Sequence, residues 1–411
     1  MTTLASPAAS AGLLAAKAAA TAARIRALEP DAHHRNSFVP YTPVKGTPYV
    51  ELDGQRLLMM SGYGYLGLHG DPRVEAAAVR AVERFGTGSP GVRALAGSVP
   101  LHEELERAVA RYAEREAAVV FSSGYAANIG VVGAVCGPGD AVFVDKLDHA
   151  SIVDGCKLSG ADVVRFRHND PGHLEERLLA SRCTGVRLVV VDSVYSMDGD
   201  VAPLAELREV CDRHGALLMV DEAHALGTIG ATGGGIEEHS GVRADVKVGT
   251  LSKAVPATGG WAAGDAELVR HLRYGARPFL FSAALAPAQA GAALESLEVL
   301  RAEPWRVQHV QRESQRFRER LHAGGIGTAG SETAVVPLVV GTDEQAYAVA
   351  TRARELGVVG LPVVTPAVPA GTARLRIAVT AAHSRDQLDH AADVFVRVAG
   401  ELGLRGAAGG R

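Results

Sequence analysis

The sequence predicts an α/β protein whose mostly parallel sheet is covered by helices on both faces. Three observations carry this expectation. Four short runs, Ala117-Ala118-Val119-Val120-Phe121, Ala141-Val142-Phe143-Val144, Arg187-Leu188-Val189-Val190-Val191 and Ala216-Leu217-Leu218-Met219-Val220, have the nearly continuous apolar character of strands buried on both faces. Helical stretches such as Pro203 to His214 stand between such runs, and this alternation provides the crossovers that parallel strands require. The chain has 411 residues, beyond the usual reach of one hydrophobic core, so a large and a small domain are expected.

Taken in order, Met1 to about Ala23 is Ala-rich. Alanine favours helix but buries little, so this stretch reads as a frayed helical or disordered arm. A helix-compatible piece, Ala22 to Leu28, stops before Glu29-Pro30. Tyr49 to Met60 alternates well enough for a short hairpin around Asp53-Gly54, which completes an N-terminal segment, 1–60. The large domain is expected over 61–285. Leu285 to about Leu321 then reads as one long helical region interrupted near Pro304. Ala334–Val340, Ala346–Leu356, Leu375–Val379 and Arg385–Leu402 follow as a smaller strand–helix alternation. The boundary is placed near Ala286, giving a C-terminal domain over 286–411 with a loose tail after Gly403.

Composition narrows the function classes. Hydrophobic residues at 47% against charged residues at 21% argue for a packed globule and against disorder. A net charge of -4 advertises neither a nucleic-acid surface nor an anionic-membrane surface. Cys136, Cys156, Cys183 and Cys211 form no CxxC pair, which points to a reducing compartment and to buried apolar roles. No apolar run is long enough to span a bilayer, and the start lacks a signal-peptide layout. A cytoplasmic protein is expected.

The chemistry gathers after the strands. Gly249-Thr250-Leu251-Ser252-Lys253 follows the apolar segment Val246-Lys247-Val248, and a lysine desolvated there favours its neutral, nucleophilic amine. Alone, an ordinary loop lysine explains it better. Val220-Asp221-Glu222-Ala223-His224 puts a carboxylate just past a strand, where burial calls for a cation such as a pyridinium nitrogen. A nearby basic side chain serves equally well. Phe121-Ser122-Ser123-Gly124-Tyr125-Ala126-Ala127-Asn128 passes from a strand end into a helix, whose free N–H groups suit a phosphate. The alternative is a capped helix start. His149, in Asp145-Lys146-Leu147-Asp148-His149-Ala150-Ser151, is placed to stack on a flat ring, although a histidine at a helix start more often serves as a structural hydrogen-bonder.

Several motifs are decoys. The DEAH spelling at 221–224 lacks the phosphate loop that a helicase needs. The acids from Asp192 to Asp200 do not have calcium-loop spacing or its distal glutamate, so no metal site is expected. Two GxGxxG matches, starting at Gly62 and Gly86, do not join a buried strand to a helix within a βαβ unit. Together, however, a lysine, an aspartate, two histidines and a phosphate cradle meet the needs of pyridoxal 5′-phosphate (PLP).

The order and spacing of these motifs resemble the α-oxoamine synthase family of fold type I PLP-dependent transferases. Its members include 8-amino-7-oxononanoate synthase, serine palmitoyltransferase, 5-aminolevulinate synthase and 2-amino-3-ketobutyrate CoA ligase. The resemblance runs from about Tyr63 to Leu402. It is carried by Tyr65-Leu66-Gly67-Leu68, Ala96-Gly97-Ser98 with His102 and Leu105-Glu106, FSSGYAAN, His149-Ala150-Ser151, VYSMDGD, DEAHALG, GTLSK and GTARLR at 371–376. It implies a seven-stranded, mostly parallel sheet in the large domain and a smaller C-terminal α/β domain.

By this resemblance Lys253 holds the cofactor covalently and Asp221 pairs with its ring nitrogen. His149 stacks on the ring, while His224 and Ser196 approach its phenolic oxygen. Ser123, Gly124, Tyr125, Thr250 and Ser252 surround the phosphate, and Ser282 reaches the phosphate of a neighbouring protomer in a homodimer whose active site lies at the interface. Arg376 grips the amino-acid carboxylate, with Tyr63 beside the substrate. The implied reaction joins a small amino acid to an acyl thioester, of CoA or a carrier protein, releasing CO₂ and thiol and leaving an α-aminoketone. Tyr63 and Ala367 match sphingolipid-type members, whereas Val92, Ala283 and Pro256 depart from common family patterns. These positions rank a pathway-specific or sphingolipid-like synthase first and the biotin-pathway enzyme second. A PLP aminotransferase or retro-aldol enzyme, and an inactive partner subunit, are the alternatives.

Overall fold

A computed structural model describes residues 7–31 and 34–404; the first six residues and the tail from 405 lie outside the described residues. Its centre is a seven-stranded sheet in the order Ala117–Phe121, Gly260–Gly264, Val246–Thr250, Leu217–Asp221, Arg187–Asp192, Ala141–Asp145, Asp162–Phe166. Only Gly260–Gly264 runs antiparallel to its neighbours. The four apolar runs each meet a core on both faces; three are inner strands, and Ala117–Phe121 is an edge strand covered on both faces. Val120 and Trp261 pack with Leu105 and Leu297 on one side, while Val119, Val142 and Met219 pack with Val131 and Leu272 on the other.

Besides Val246–Thr250, which Lys247 interrupts, two strands carry no continuous apolar run. Asp162–Phe166 is an edge strand, mostly exposed until Phe166. Gly260–Gly264 is built of small residues around Trp261, and its neighbour Gly249 is required by that ring: a Cβ at Gly249 would lie 2.5 Å from the Trp261 indole.

The Ala-rich stretch is helical over Pro7–Leu28, as alanine's propensity favours, with its described side chains nearly all exposed. The hairpin pairs Tyr49–Leu52 with Gln55–Met59 through Asp53 and Gly54, both at positive φ as a tight two-residue turn requires. Gln55–Met59 also pairs, in parallel, with Val358–Val359. Leu58 and Met60 thereby enter the core that Val335–Gly341, Asp343–Glu355, Ala373–Ala378 and Arg385–Glu401 build around Phe395. The long helical region breaks at Pro304 into Pro287–Ala302 and Trp305–Ala323. Leu297, Val307 and Val310 join the core beneath the large sheet, and Phe317 and Leu321 join the smaller one. This pair of helices, which begins beside the division proposed near Ala286, spans both cores.

Candidate active site

The carboxyl ends of the parallel strands come level with one another. Asp192 is the register partner of Asp221, and Thr250 pairs with Gly260. Asp221 ends its strand with a buried carboxylate that accepts the Nδ2–H of Asn128 at 2.7 Å and the backbone N–H of Ala223 at 2.8 Å. Both donors are neutral, so a cationic group entering the cavity would complete the pairing of this buried carboxylate. Asn128 reaches it from the helix Gly124–Val135. Ser123 caps that helix, its Oγ accepting the N–H of Ala126 at 3.0 Å.

Lys253 lies just past Val246–Thr250, its amine 2.9 Å from Nε2 of His224. On the far side of that imidazole, Nδ1 is 2.8 Å from the Tyr65 hydroxyl. Arg376, in the buried strand Ala373–Ala378, donates Nη2–H to the same hydroxyl at 3.2 Å and Nε–H to the carbonyl of Ser196 at 2.6 Å. The half-open ring of Tyr63 lies beside both basic groups, its centroid 5.5 Å from the lysine Nζ and 4.9 Å from the guanidinium carbon. Cation–π contact of this kind favours a positive charge on either side.

Burial holds the Lys253 amine down to about 8; Asp221 and Asp192 oppose the shift and Arg376 adds to it. Burial also lowers His224 well below the usual imidazole range, and the charges of Lys253 and Arg376 push the same way. His149, at the open side, caps the helix Ala150–Ser159 and shares a hydrogen bond with Ser151 Oγ at 2.7 Å. Its imidazole is lowered by burial, against the pull of Asp221. The carboxyl of Asp192 is raised well above its ordinary range, first by burial and then by Asp221.

The start of the helix Gly124–Val135 is equally well defined. Helix geometry leaves the N–H groups of Gly124 and Tyr125 without intrahelical acceptors. Thr250 approaches so closely that a Cβ at Gly124 would lie 3.0 Å from its Cβ. Thr250 Oγ1 is 2.7 Å from Ser252 Oγ, which sets two hydroxyls beside the helix start. Ser196 meets Arg376 through its carbonyl. Ser282 is not brought into this cavity by any described contact; its segment is held instead against residues 91 and 92, where Val92 bridges Ala283 and Ala284 N–H donates to Gly91.

The site therefore holds a partly neutral amine, a buried carboxylate, a guanidinium and an anion-ready helix start. The aminotransferase class I and II family model matches residues 56–395. An 8-amino-7-oxononanoate synthase from Anaeromyxobacter dehalogenans (strain 2CP-1 / ATCC BAA-258) is 48% identical over 357 residues, which cover 86% of this chain and 89% of that one. The chain belongs to the α-oxoamine synthase family. A Sphingomonas wittichii serine palmitoyltransferase structure shares 32% identity at a TM-score of 0.89, covering 98% of this α-oxoamine synthase and 100% of that chain. A lysine-to-alanine variant of serine palmitoyltransferase from S. paucimobilis, solved with a bound PLP–myriocin aldimine, shares 33% identity at a TM-score of 0.85, over 88% and 92% of the two chains. The protein is a PLP-dependent acyltransferase that condenses an amino acid with an acyl thioester. The comparisons favour the biotin-pathway reading that the sequence ranked second: identity is 48% to the oxononanoate synthase against 32% and 33% to the palmitoyltransferases. Two further side chains, Tyr65 and Asn128, lay inside recognised motifs without an assigned task. Nothing local marks them, because their partners His224 and Asp221 are far away in the chain.

Proposed function

We propose that this synthase makes 8-amino-7-oxononanoate. In that product one methyl group and the amine sit on carbon 8, so decarboxylative condensation requires alanine as the amino acid. Carbons 1 to 7 then come from an acyl thioester ending in a free carboxylate, carried by CoA or by a carrier protein. The observation that carries this reading is the 48% identity to an enzyme of that name across 86% of the chain. Tyr63 and the serine palmitoyltransferase structures favour a second reading, a sphingolipid-like synthase using serine.

The residues fit PLP. Asp221, satisfied only by neutral donors, would accept a protonated ring nitrogen, and His149 would cover the ring. Gly124 and Tyr125 N–H, with Ser123, Thr250 and Ser252, would hold the phosphate, and Ser196 and His224 would serve the phenolic oxygen. Bound there, PLP supplies an electron sink for the charge left at the amino acid's Cα. Lys253 would hold the cofactor covalently, and its amine, near 8, is matched to moving the Cα proton. Arg376 holds the substrate carboxylate, its Nε already fixed on Ser196. The enzyme acts as a cytoplasmic homodimer in which Ser282 reaches the neighbouring protomer's phosphate. The four described cysteines are free, and no described helix is long and apolar enough to cross a membrane.

Thiol and CO₂ release is the direct test. Alanine with the ω-carboxyacyl thioester is expected to release both in equal amounts. Faster turnover of serine with a long-chain acyl-CoA would select the second reading, and formation of a keto acid without thiol release would overturn both.

A further inference from the structure

We infer that Tyr65 is a positioning residue whose hydroxyl fixes the tautomer of His224, so that this imidazole donates to the amine of Lys253 and keeps it neutral. The observation is a chain of side chains linking the guanidinium to the amine. Arg376 Nη2 lies 3.2 Å from Tyr65 Oη, Tyr65 Oη 2.8 Å from His224 Nδ1, and His224 Nε2 2.9 Å from Lys253 Nζ.

Proton counting gives this chain a direction. A guanidinium only donates, so Tyr65 Oη accepts from Arg376. Tyr65 is fully buried, and His224 Nδ1 is the other described partner of its hydroxyl, so the tyrosine proton goes to Nδ1. Arg376 Nη2 also faces Nδ1 at 3.5 Å, again as a donor. With Nδ1 accepting, neutral His224 carries its proton on Nε2 and points it at Lys253, and only a neutral amine has the lone pair to receive it. The ammonium form would require the opposite tautomer, with Nδ1–H directed at Tyr65. The tyrosine would then have two donors aimed at its oxygen and no acceptor for its own proton, an unsatisfied buried group.

Among the other groups facing Lys253, Arg376 supports this tautomer only through its longer 3.5 Å contact with Nδ1, and the carboxylates and His149 do not specify it. Asp221 and Asp192 favour the ammonium, Arg376 disfavours it, and His149 lies across the cavity. Tyr65 thus opposes the two carboxylates through a hydrogen bond rather than through charge. Its consequence for catalysis rests on the proposed role of Lys253, whereas the tautomer does not.

Long-range proton–nitrogen correlation spectra of the full-length chain, labelled with ¹⁵N at histidine, read the tautomer directly. The His224 signals are identified by their loss in His224→Asn. Wild type is expected to show a bare Nδ1 and a protonated Nε2. In Tyr65→Phe the longer Arg376 contact is the remaining described donor to Nδ1. The Nδ1–H form should gain population, and the pH midpoint for covalent PLP uptake, followed by visible absorbance, should rise by about one unit, a tenfold change in neutral amine. Wild-type protein carrying its proton on Nδ1 would overturn the inference without any variant, so a misfolded Tyr65→Phe does not shelter it. A folded Tyr65→Phe with an unmoved tautomer or an unmoved midpoint would overturn it as well. Covalent PLP uptake by Lys253→Ala would sink the functional reading instead, leaving the tautomer result intact.

Discussion

Lys247 and Lys253 belong to one short stretch of chain, yet the molecule treats them in opposite ways. Lys247 lies within the strand Val246–Thr250, its side chain almost wholly shielded, and its amine meets Glu222 Oε1 at 3.4 Å, Glu237 Oε2 at 3.5 Å and the carbonyl of Gly234 at 3.3 Å. Lys253, past the carboxyl end, takes part in no ion pair among the described residues and meets an imidazole instead. The adjacent residues Asp221 and Glu222 serve the two environments separately, one carboxylate facing the Lys253 cavity and the next facing Lys247. A buried lysine surrounded by acceptors is a fixed cation; one denied them becomes a reagent. Cavity size does not mark the reactive one. A space of about 690 Å³ opens beside Lys247, lined by Tyr112, Glu237 and Arg243 among others.

Substituting each lysine is the sharpest way to break this contrast. Lys253→Ala should abolish the visible absorbance of PLP-loaded protein and lower kcat by roughly a thousandfold or more. Its thermal midpoint should hardly fall, because no ion pair is lost; unfolding at ordinary temperature would contradict the comparison. Lys247→Met should do the reverse. Glu222 and Glu237 are left without their shared cation, a loss of about 3–5 kcal/mol in denaturant unfolding, while folded protein keeps the absorbance of bound PLP. A Lys247→Met enzyme as stable as wild type would mean that the paired carboxylates simply take up protons.

The smallest effect comes from a third cation, His168, which sharpens the rule. Burial opposes its charge, but hydrogen bonds to Asp145 at 2.9 Å and Asp200 at 2.7 Å outweigh that and raise it to about 9. A folded-state value above the ordinary 6.5 means that its contribution to stability is complete below 6.5 and is lost as pH rises to about 9. The thermal midpoint should therefore drop across that window, and His168→Gln should flatten this drop. An identical pH profile in the variant would remove His168 as its cause.

Much of this was legible in the residues. The four strands with apolar runs announced themselves because burial on both faces leaves no polar alternation. The site motifs did so because each follows such a strand. Asp162–Phe166 was not legible, since an edge strand needs no continuous apolar run, and Gly260–Gly264 was hidden by residues of low strand propensity. The hairpin was readable from Asp53-Gly54, but its union with Val358–Val359 was not, because parallel pairing leaves no local turn signature.

What the sequence alone determined was the chemical inventory: lysine, aspartate, two histidines, an arginine and a helix start, each beside an element whose pattern it shares. Tertiary structure decided their states. Whether an amine is a cation or a nucleophile depends on which acceptors lie within about 3 Å of it, because hydrogen bonding and desolvation act at contact range. Tyr65, His224 and Arg376 reach Lys253's surroundings from well-separated parts of the chain, and only the packed sheet and the strand Ala373–Ala378 bring them there.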